Sequence, residues 1–172
     1  RGLSGDNPKL VKRTKLSDVP NGVGEFKISP DETKIMYVSY IHSDVKTPKD
    51  TDPKLDKARA YVAEDLMYRH WDHWVTELPH TFIADFGEGI SPEKSIDILA
   101  SEDKLYELPT EPFGGAEQLD WSPDGKLIAY SCRKRTGKEY AFSTNCGIYI
   151  YDTASGTTIP VKTDGGYDTD PV

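Results

Sequence analysis

The chain has 172 residues, which is room for one domain or for part of a larger one. Its hydrophobic share of 36% is enough to bury a core, and its formal net charge of −8 disfavours nucleic-acid binding, which needs a basic surface. No apolar run approaches the roughly 18 residues of a membrane-spanning helix. Two cysteines, Cys132 and Cys146, are too few to identify a redox compartment. The chain begins with Arg1 rather than Met, and we expect it to be an excised fragment of a longer protein.

The chain opens with residues 1–22, in which the run 9–14 is predicted as a strand. Residues 25–28 then alternate between polar and apolar, Ser-Pro-Asp follows at 29–31, and residues 35–41 are rich in β-branched and aromatic side chains. Proline presets φ at the first central position of a turn, and aspartate can bond its own backbone. The pattern predicts strand, turn and strand.

A long insertion is predicted next, over residues 43–80. After a polar, proline-containing loop, residues 54–78 lack Pro and Gly and are rich in helix formers, which predicts a helix. The apolar residues of this segment recur at spacings of three and four and would share one helix face: Ala60, Ala63, Met67, Trp71, Trp74 and Leu78. On the opposite side, Asp65 and Asp72 would each form an ion pair with Arg69.

The strand pattern resumes after the insertion, and a second unit then repeats the first. Residues 81–86 and 94–99 are predicted strands. A second Ser-Pro-Asp occurs at 122–124, and the segments around it follow the same order as in the first unit. The strands of this second unit are predicted at 118–121, 127–133, 147–152 and 157–162.

Two units of four short strands in meander order are typical of β-propeller blades. We therefore predict a mainly β fold, a partial β-propeller with about two complete four-stranded blades, partial flanking blades and one inserted α-helix near 54–78. A free-standing β-sandwich with a fortuitous repeat is the alternative. Within the fragment, 1–172, we predict the end of a preceding blade at 1–22, a blade with the helical insertion at 23–112, a second blade at 113–166 and the start of a further blade at 167–172.

The sequence predicts no catalytic constellation. It lacks the Gly-x-Ser-x-Gly pattern of a serine nucleophile, and none of its four histidines comes with a paired Ser or Cys. His70 and His73 stand three apart, but the flanking tryptophans favour packing over zinc binding. The glycine pairs at 114–115 and 165–166 are predicted turns between blades rather than phosphate-binding loops. We expect no catalytic residue, no metal and no cofactor in this chain.

The two cysteines lie near facing ends of predicted strands. An antiparallel register that places Ile128 opposite Ile150 would also place Cys132 opposite Cys146. Such a pair is close to disulfide geometry but slightly wide of it. A disulfide and two buried free thiols both remain open.

Five stretches carry a resemblance to a known family: 26–31, 65–74, 79–86, 118–124 and 166–171. The sequence resembles the N-terminal propeller of bacterial prolyl oligopeptidase-family enzymes, the dipeptidyl-peptidase and acylaminoacyl-peptidase branch. The most specific feature is Tyr-Arg-His-Trp-Asp within 65–74, followed by a Pro-His strand, whereas TolB-like propellers share the Ser-Pro-Asp turns. Glu32 stands where the repeat commonly has Gly.

The resemblance implies a parent with a C-terminal α/β-hydrolase domain that holds a Ser-Asp-His triad, none of which maps onto this chain. The expected function is a non-catalytic propeller segment that gates or positions short peptide substrates for that serine exopeptidase. The resemblance also implies a periplasmic or secreted parent and is compatible with a homo-oligomer. The alternative function is a TolB-like binding propeller with protein partners and no catalytic domain.

Two adjacent acids, Glu64 and Asp65, are the candidate substrate-binding residues. The meander order places the insertion on the face opposite the Ser-Pro-Asp turns, and the resemblance implies that acidic side chains of a propeller helix hold the free amino terminus of the substrate. Carboxylates facing an ammonium group form charge-assisted hydrogen bonds. In the other interpretation, Asp65 pairs with Arg69 and Glu64 is simply solvated.

Overall fold

The computed structural model describes residues 15–87, 89–161 and 165–172. Its described part is mainly β, with eight strands in two four-stranded antiparallel sheets. The first sheet has the order β1 (Phe26–Ile28), β2 (Lys34–His42), β3 (Glu77–Asp85) and β4 (Ile96–Asp97). The second has the order β5 (Leu119–Trp121), β6 (Leu127–Cys132), β7 (Gly147–Asp152) and β8 (Thr158–Pro160). The predicted meander order of these strands is confirmed, and the strand expected at 9–14 lies outside the described residues.

Helices in the described part are few and short. They are α1 (Pro48–Thr51), α2 (Lys138–Phe142) and 3-10 turns at Pro53–Leu55, Pro92–Lys94 and Ala116–Gln118. The sequence does not predict α2, which lies in the loop between β6 and β7. None of the described helices is long and apolar enough to cross a membrane.

The two Ser-Pro-Asp turns use the same contacts. Ser29 Oγ donates a hydrogen bond to Asp31 Oδ1 at 2.6 Å, and the second Ser-Pro-Asp repeats this contact at 2.7 Å. Glu32 has φ of +59° at the position where Gly125 has φ of +69°. A non-glycine residue at positive φ is uncommon, so the side-chain hydrogen bonds hold the first turn in the form that Gly favours in the second.

Apolar side chains from both sheets form one shared cluster. Its members are Met36, Ile83, Ile98, Leu99, Tyr106, Leu108, Leu119, Trp121, Ile128, Tyr130, Cys132 and Tyr151. A second cluster, of Ile35, Tyr37, Ala84 and Ile90, lies on the opposite face of the first sheet. Successive side chains of a strand point to opposite faces, so both faces of the first sheet are covered. The first strands of the two sheets also touch, because Trp121 Nε1 donates a hydrogen bond to the Lys27 carbonyl at 3.2 Å.

The predicted register between β6 and β7 is wrong by one residue. Ile128 lies opposite Tyr151, and Cys132 lies opposite Gly147 rather than Cys146. The observed register puts core-facing side chains of both strands on one face, with Tyr130 stacked on Tyr149 at a centroid distance of 5.4 Å. The register predicted above would have paired core-facing residues with outward-facing ones, since a one-residue slip flips every side chain. Both cysteines are buried and free.

The helix predicted over 54–78 is wrong. After the 3-10 turn, residues 56–76 form turns and two isolated bridges, Lys46 with Val62 and Arg69 with Trp74. The second bridge closes a small loop in which His70 N donates a hydrogen bond to the His73 carbonyl at 3.1 Å. The apolar spacing therefore does not mark a helix face, and Trp71 is 76% exposed.

Pairing within the first sheet explains this outcome. β3 begins at Glu77 and pairs along all of β2, so that Leu78 lies opposite Ile41 and is buried in the sheet. The residues just before β3 include tryptophan, tyrosine and valine, which lose side-chain freedom in a helix. Tertiary pairing therefore overrides a modest helix preference.

The connections are divided between the two ends of the sheets. In a meander, the turns after β1, β3, β5 and β7 lie at one end. The other end carries the insertion, 43–76, the loop 133–146 and the connection between the sheets, 98–118. The insertion therefore lies opposite the Ser-Pro-Asp turns, as predicted, and beside the loop that holds α2.

Candidate functional site

A cleft of about 610 Å³ lies at the loop-bearing end of the sheets, and we call it the insertion cleft. Its walls come from residues 43–45 and 62–68 of the insertion, 104–107 of the connection between the sheets and 135–140 of the loop after β6. Pockets of roughly 300–1,000 Å³ are usual for small ligands. The three segments that form this cleft are distant in sequence and meet because the meander brings them to one end.

Glu64 and Asp65 both line the insertion cleft and are both exposed. Glu64 makes no hydrogen bond or ion pair with the described residues. Asp65 Oδ1 accepts a hydrogen bond from Leu66 N at 2.8 Å, and Oδ2 lies directly against Gly137. The structure thus brings the two predicted site residues together on one wall.

The ion pairs predicted for Arg69 are wrong. Its guanidinium lies over the Trp74 ring, 5.3 Å from the centroid, and no described carboxylate is within ion-pair distance of it. Asp72 instead contacts His73 Nδ1 at 2.8 Å. Residues 56–76 are not helical, so Glu64 and Asp65 do not lie on the predicted helix.

A buried carboxyl group, that of Glu107, connects the walls of the cleft. Its Oε1 lies 2.8 Å from His70 Nε2 of the insertion, and its Oε2 accepts a hydrogen bond from the Tyr140 hydroxyl of α2 at 2.5 Å. Glu107 and His70 are each 6% exposed. Burial raises the pKa of Tyr140, and the Glu107 carboxyl raises it further. Buried polar groups that satisfy one another in this way fix the relative positions of their segments.

A second set of contacts surrounds Glu111. Its Oε1 accepts a hydrogen bond from the Tyr40 hydroxyl at 3.1 Å, and its Oε2 lies 3.4 Å from His73 Nε2. The hydrogen bond that His73 donates to the Asp72 carboxylate raises the pKa of His73, and Glu111 adds to this effect. Glu111 therefore holds the tip of the insertion to the connection between the sheets.

A second cleft, of about 680 Å³, lies on the other side of Tyr140, and we call it the arginine cleft. Arg133 lines it, as do the exposed rings of Trp71 and Phe113, whose centroids are 5.0 Å apart. Met67 and Tyr140 contribute to both clefts, so the two are neighbours.

Comparison with known proteins gives several relatives named dipeptidyl-peptidase 5. No family model matches the chain. The chain is 45% identical over 152 residues to dipeptidyl-peptidase 5 of Porphyromonas gingivalis, and 40% identical over 169 residues to that of Porphyromonas endodontalis. These matches cover 87% and 95% of this chain. The chain is similar to dipeptidyl-peptidase 5.

Fungal relatives carry the same name. Dipeptidyl-peptidase 5 of Aspergillus fumigatus is 33% identical over 117 residues, which is 63% of this chain and 16% of the relative. The matches to the two bacterial proteins cover 22% and 23% of their lengths. The chain therefore spans about a fifth of the length of these two bacterial proteins.

Sequence reasoning missed the residues that assemble the two clefts. Glu107, Tyr140 and Arg133 lie outside any sequence motif. Their spacing along the chain does not mark any of them as a candidate site residue. One signal was available for Glu107, because it interrupts the apolar run 105–109. A lone acid in such a run is expected either to be exposed or to be paired where it is buried.

Proposed function

We propose that this chain is a segment of the β-propeller of a dipeptidyl peptidase. In this proposal the parent chain supplies a C-terminal α/β-hydrolase domain with the catalytic triad, and this segment positions short peptides without itself catalysing hydrolysis. The names of the relatives support the peptidase assignment over a TolB-like binding propeller.

The arrangement of the two sheets supports a propeller. Each sheet is a four-stranded antiparallel meander, which is the structure of one blade. The first strands of the sheets touch through Trp121 and Lys27, and the two Ser-Pro-Asp turns are neighbours, since a Cβ at Gly125 would lie 3.5 Å from Asp31 Oδ1. Adjacent blades of a propeller lie next to each other in the same orientation, and the two sheets are arranged in this way.

The position of two carboxyl groups carries the proposal for the site. Glu64 and Asp65 are exposed on the wall of the insertion cleft, at the end of the sheets where the loops converge. We infer that they receive the free amino terminus of a peptide. An ammonium group donates up to three hydrogen bonds, and each charge-assisted bond is worth about 1.5–3 kcal/mol. Selectivity for unblocked peptides would follow, because an acylated amino terminus carries no charge.

Substitution of the two acids in the full-length protein tests this function. Glu64→Gln and Asp65→Asn keep the shape of each side chain and remove its charge. We expect kcat/KM for dipeptidyl substrates with a free amino group to fall at least tenfold, about 1.4 kcal/mol, while kcat/KM for N-acetylated substrates stays unchanged.

A matched control distinguishes the effect of losing a charge at the cleft from the effect of changing the net charge of the protein. Glu93→Gln removes one exposed acid at the opposite end of the first sheet and should change neither rate. Equal losses on free and N-acetylated substrates would contradict amino-terminal recognition by Glu64 and Asp65. Absence of any dipeptidyl-peptidase activity in the full-length protein would contradict the proposed function as a whole.

A further inference from the structure

Arg133 is a half-buried cation without a counter-ion among the described residues. Its Nε atom is buried and has no hydrogen-bond partner, and its guanidinium forms no ion pair with any described carboxylate. The plane of the group lies over the Tyr140 ring, with Cζ 4.6 Å from the centroid. A guanidinium with a buried, unbonded Nε normally has a partner, so an unpaired one that lines a cleft indicates a place for an anion.

The carboxyl groups nearest to the arginine cleft are already engaged. Glu107 is held by His70 and Tyr140, and Glu111 by Tyr40 and His73. Neither lies within ion-pair distance of Arg133.

Asp168 raises the pKa of the Cys146 thiol while Arg133 lowers it, but Asp168 forms no ion pair with the guanidinium. Arg69, which also lines the cleft, adds positive charge at its rim. The described surface of the arginine cleft therefore offers a guanidinium that an incoming anion can reach.

Two aromatic rings line the same cleft as this cation. Trp71 is 76% exposed and Phe113 is 74% exposed, and they pack against each other edge to face along the same cleft. Exposed aromatic groups around a concave surface provide contact for an apolar ligand group. A guanidinium beside such rings matches a ligand that has a planar carboxylate next to an apolar side chain.

We propose that the arginine cleft binds the carboxylate of a peptide, with Arg133 as the anion-binding residue and with Trp71 and Phe113 in contact with the adjacent apolar side chain. The choice of a peptide as ligand rests on the proposed function. The preference for a carboxylate does not, because it follows from the unpaired guanidinium. The carboxylate belongs either to the C-terminus of the peptide or to an acidic side chain, and both present the same chemistry to Arg133.

Calorimetric titration of the full-length protein with N-acetylated probes tests the proposal. N-Acetylphenylalanine carries a terminal carboxylate, its amide carries none, and an N-acetylated, C-terminally amidated Phe-Asp dipeptide carries only a side-chain carboxylate. None has a free amino group, so binding does not depend on Glu64 and Asp65. We expect the uncharged amide to bind at least tenfold more weakly than one of the two carboxylate probes. The probe that binds more tightly shows whether the cleft prefers a terminal or a side-chain carboxylate.

Variants of the arginine complete the test. Arg133→Gln should reduce the affinity for the preferred carboxylate to that of the amide, and Arg133→Lys should retain part of the difference. Arg59→Gln is the matched control, because Arg59 is exposed and lines neither cleft, and it should change nothing.

Two results would overturn the proposal. The first is equal binding of carboxylate and amide by the unsubstituted protein, including no binding of either, and this result needs no variant to fold. The second is an unchanged carboxylate preference in Arg133→Gln. A protein that lacks dipeptidyl-peptidase activity but still prefers the carboxylate would contradict the proposed function and support the anion site. A protein with dipeptidyl-peptidase activity but no preference for the carboxylate would contradict the anion site and leave the proposed function standing.

Discussion

His70 Nε2 lies 2.8 Å from Glu107 Oε1, and both side chains are buried. His70 belongs to the irregular insertion, and Glu107 belongs to the connection between the two sheets. The same carboxyl group accepts a hydrogen bond from the Tyr140 hydroxyl of α2. One buried acid thus holds three segments together, and those segments form the walls of the insertion cleft.

Glu107→Ala should loosen the insertion. The change leaves the buried His70 ring and the partly buried Tyr140 hydroxyl without their partner, and a buried polar group left without its hydrogen bond costs about 1–3 kcal/mol. Hydrogen exchange in the full-length protein should show faster exchange at the amides of His70 and Val75, which are hydrogen-bonded within the insertion. Glu93→Ala, at an exposed position, is the control, and equal exchange in the two variants would contradict this anchoring role.

The first Ser-Pro-Asp turn should contribute stability that depends on pH. The hydrogen bond from Ser29, with further ones from Thr33, lowers the pKa of Asp31 from 3.8 to about 2. A carboxyl group with a depressed folded-state pKa stabilises the fold above its unfolded pKa and loses that contribution as the pH falls through the folded pKa. Stability of the unsubstituted protein should therefore fall between about pH 4 and pH 2, and Asp31→Asn should flatten this part of the curve.

Denaturant unfolding at a series of pH values measures this effect. Asp56→Asn changes an exposed acid whose side chain makes no hydrogen bond or ion pair with the described residues, and it should leave the pH dependence as it is. A curve for Asp31→Asn that runs parallel to that of the unsubstituted protein from pH 4 to pH 2 would show that the turn does not contribute in this way.

The strands were predictable because local chemistry and tertiary structure agree there. The Ser-Pro-Asp turns connect β1 to β2 and β5 to β6 and so fix where these strands end. Period-two alternation marks the strand faces that meet in the shared core. The register of β6 and β7 was not predictable from the cysteines. It depends on which residues face the core, and Tyr130 and Tyr149 decide it by stacking on one face.

The insertion was not predictable because its structure depends on distant partners. Apolar residues at helical spacing, such as Trp71 and Trp74, instead contact Phe113 and Tyr68. The placement of Glu64 and Asp65 on a cleft was predictable in outline, since the meander order alone puts the insertion at the loop-bearing end. The cleft itself also needs α2 and Glu107, and no local sequence pattern predicts either of them.

Both cysteines should be free thiols that react slowly in the folded protein. Burial raises the pKa of the Cys146 thiol to about 11 and raises that of Cys132 as well. Since the thiolate is the reactive form, neither should react appreciably with a thiol reagent near neutral pH while the protein is folded. A thiol count on the denatured, unreduced protein should fall by two in the double variant Cys132→Ser, Cys146→Ser, whereas an unchanged count would indicate a disulfide between them.

Gly137→Ala should damage the insertion cleft and leave the sheets intact. Gly137 has φ of +59° and ψ of −142°, a conformation that is nearly restricted to glycine, and a Cβ there would overlap the Asp65 carboxyl group. We expect a loss of about 1–3 kcal/mol in the free energy of unfolding and a displaced Asp65. If Asp65 binds the amino terminus of the peptide, kcat/KM for free-amine substrates should fall while that for N-acetylated substrates is maintained. Gly87→Ala is the control, because Gly87 has open space around its Cβ position and should tolerate the methyl group in both assays. A Gly137→Ala protein that is as stable and as selective as the unsubstituted one would show that the contact between Gly137 and Asp65 does not set the geometry of the cleft.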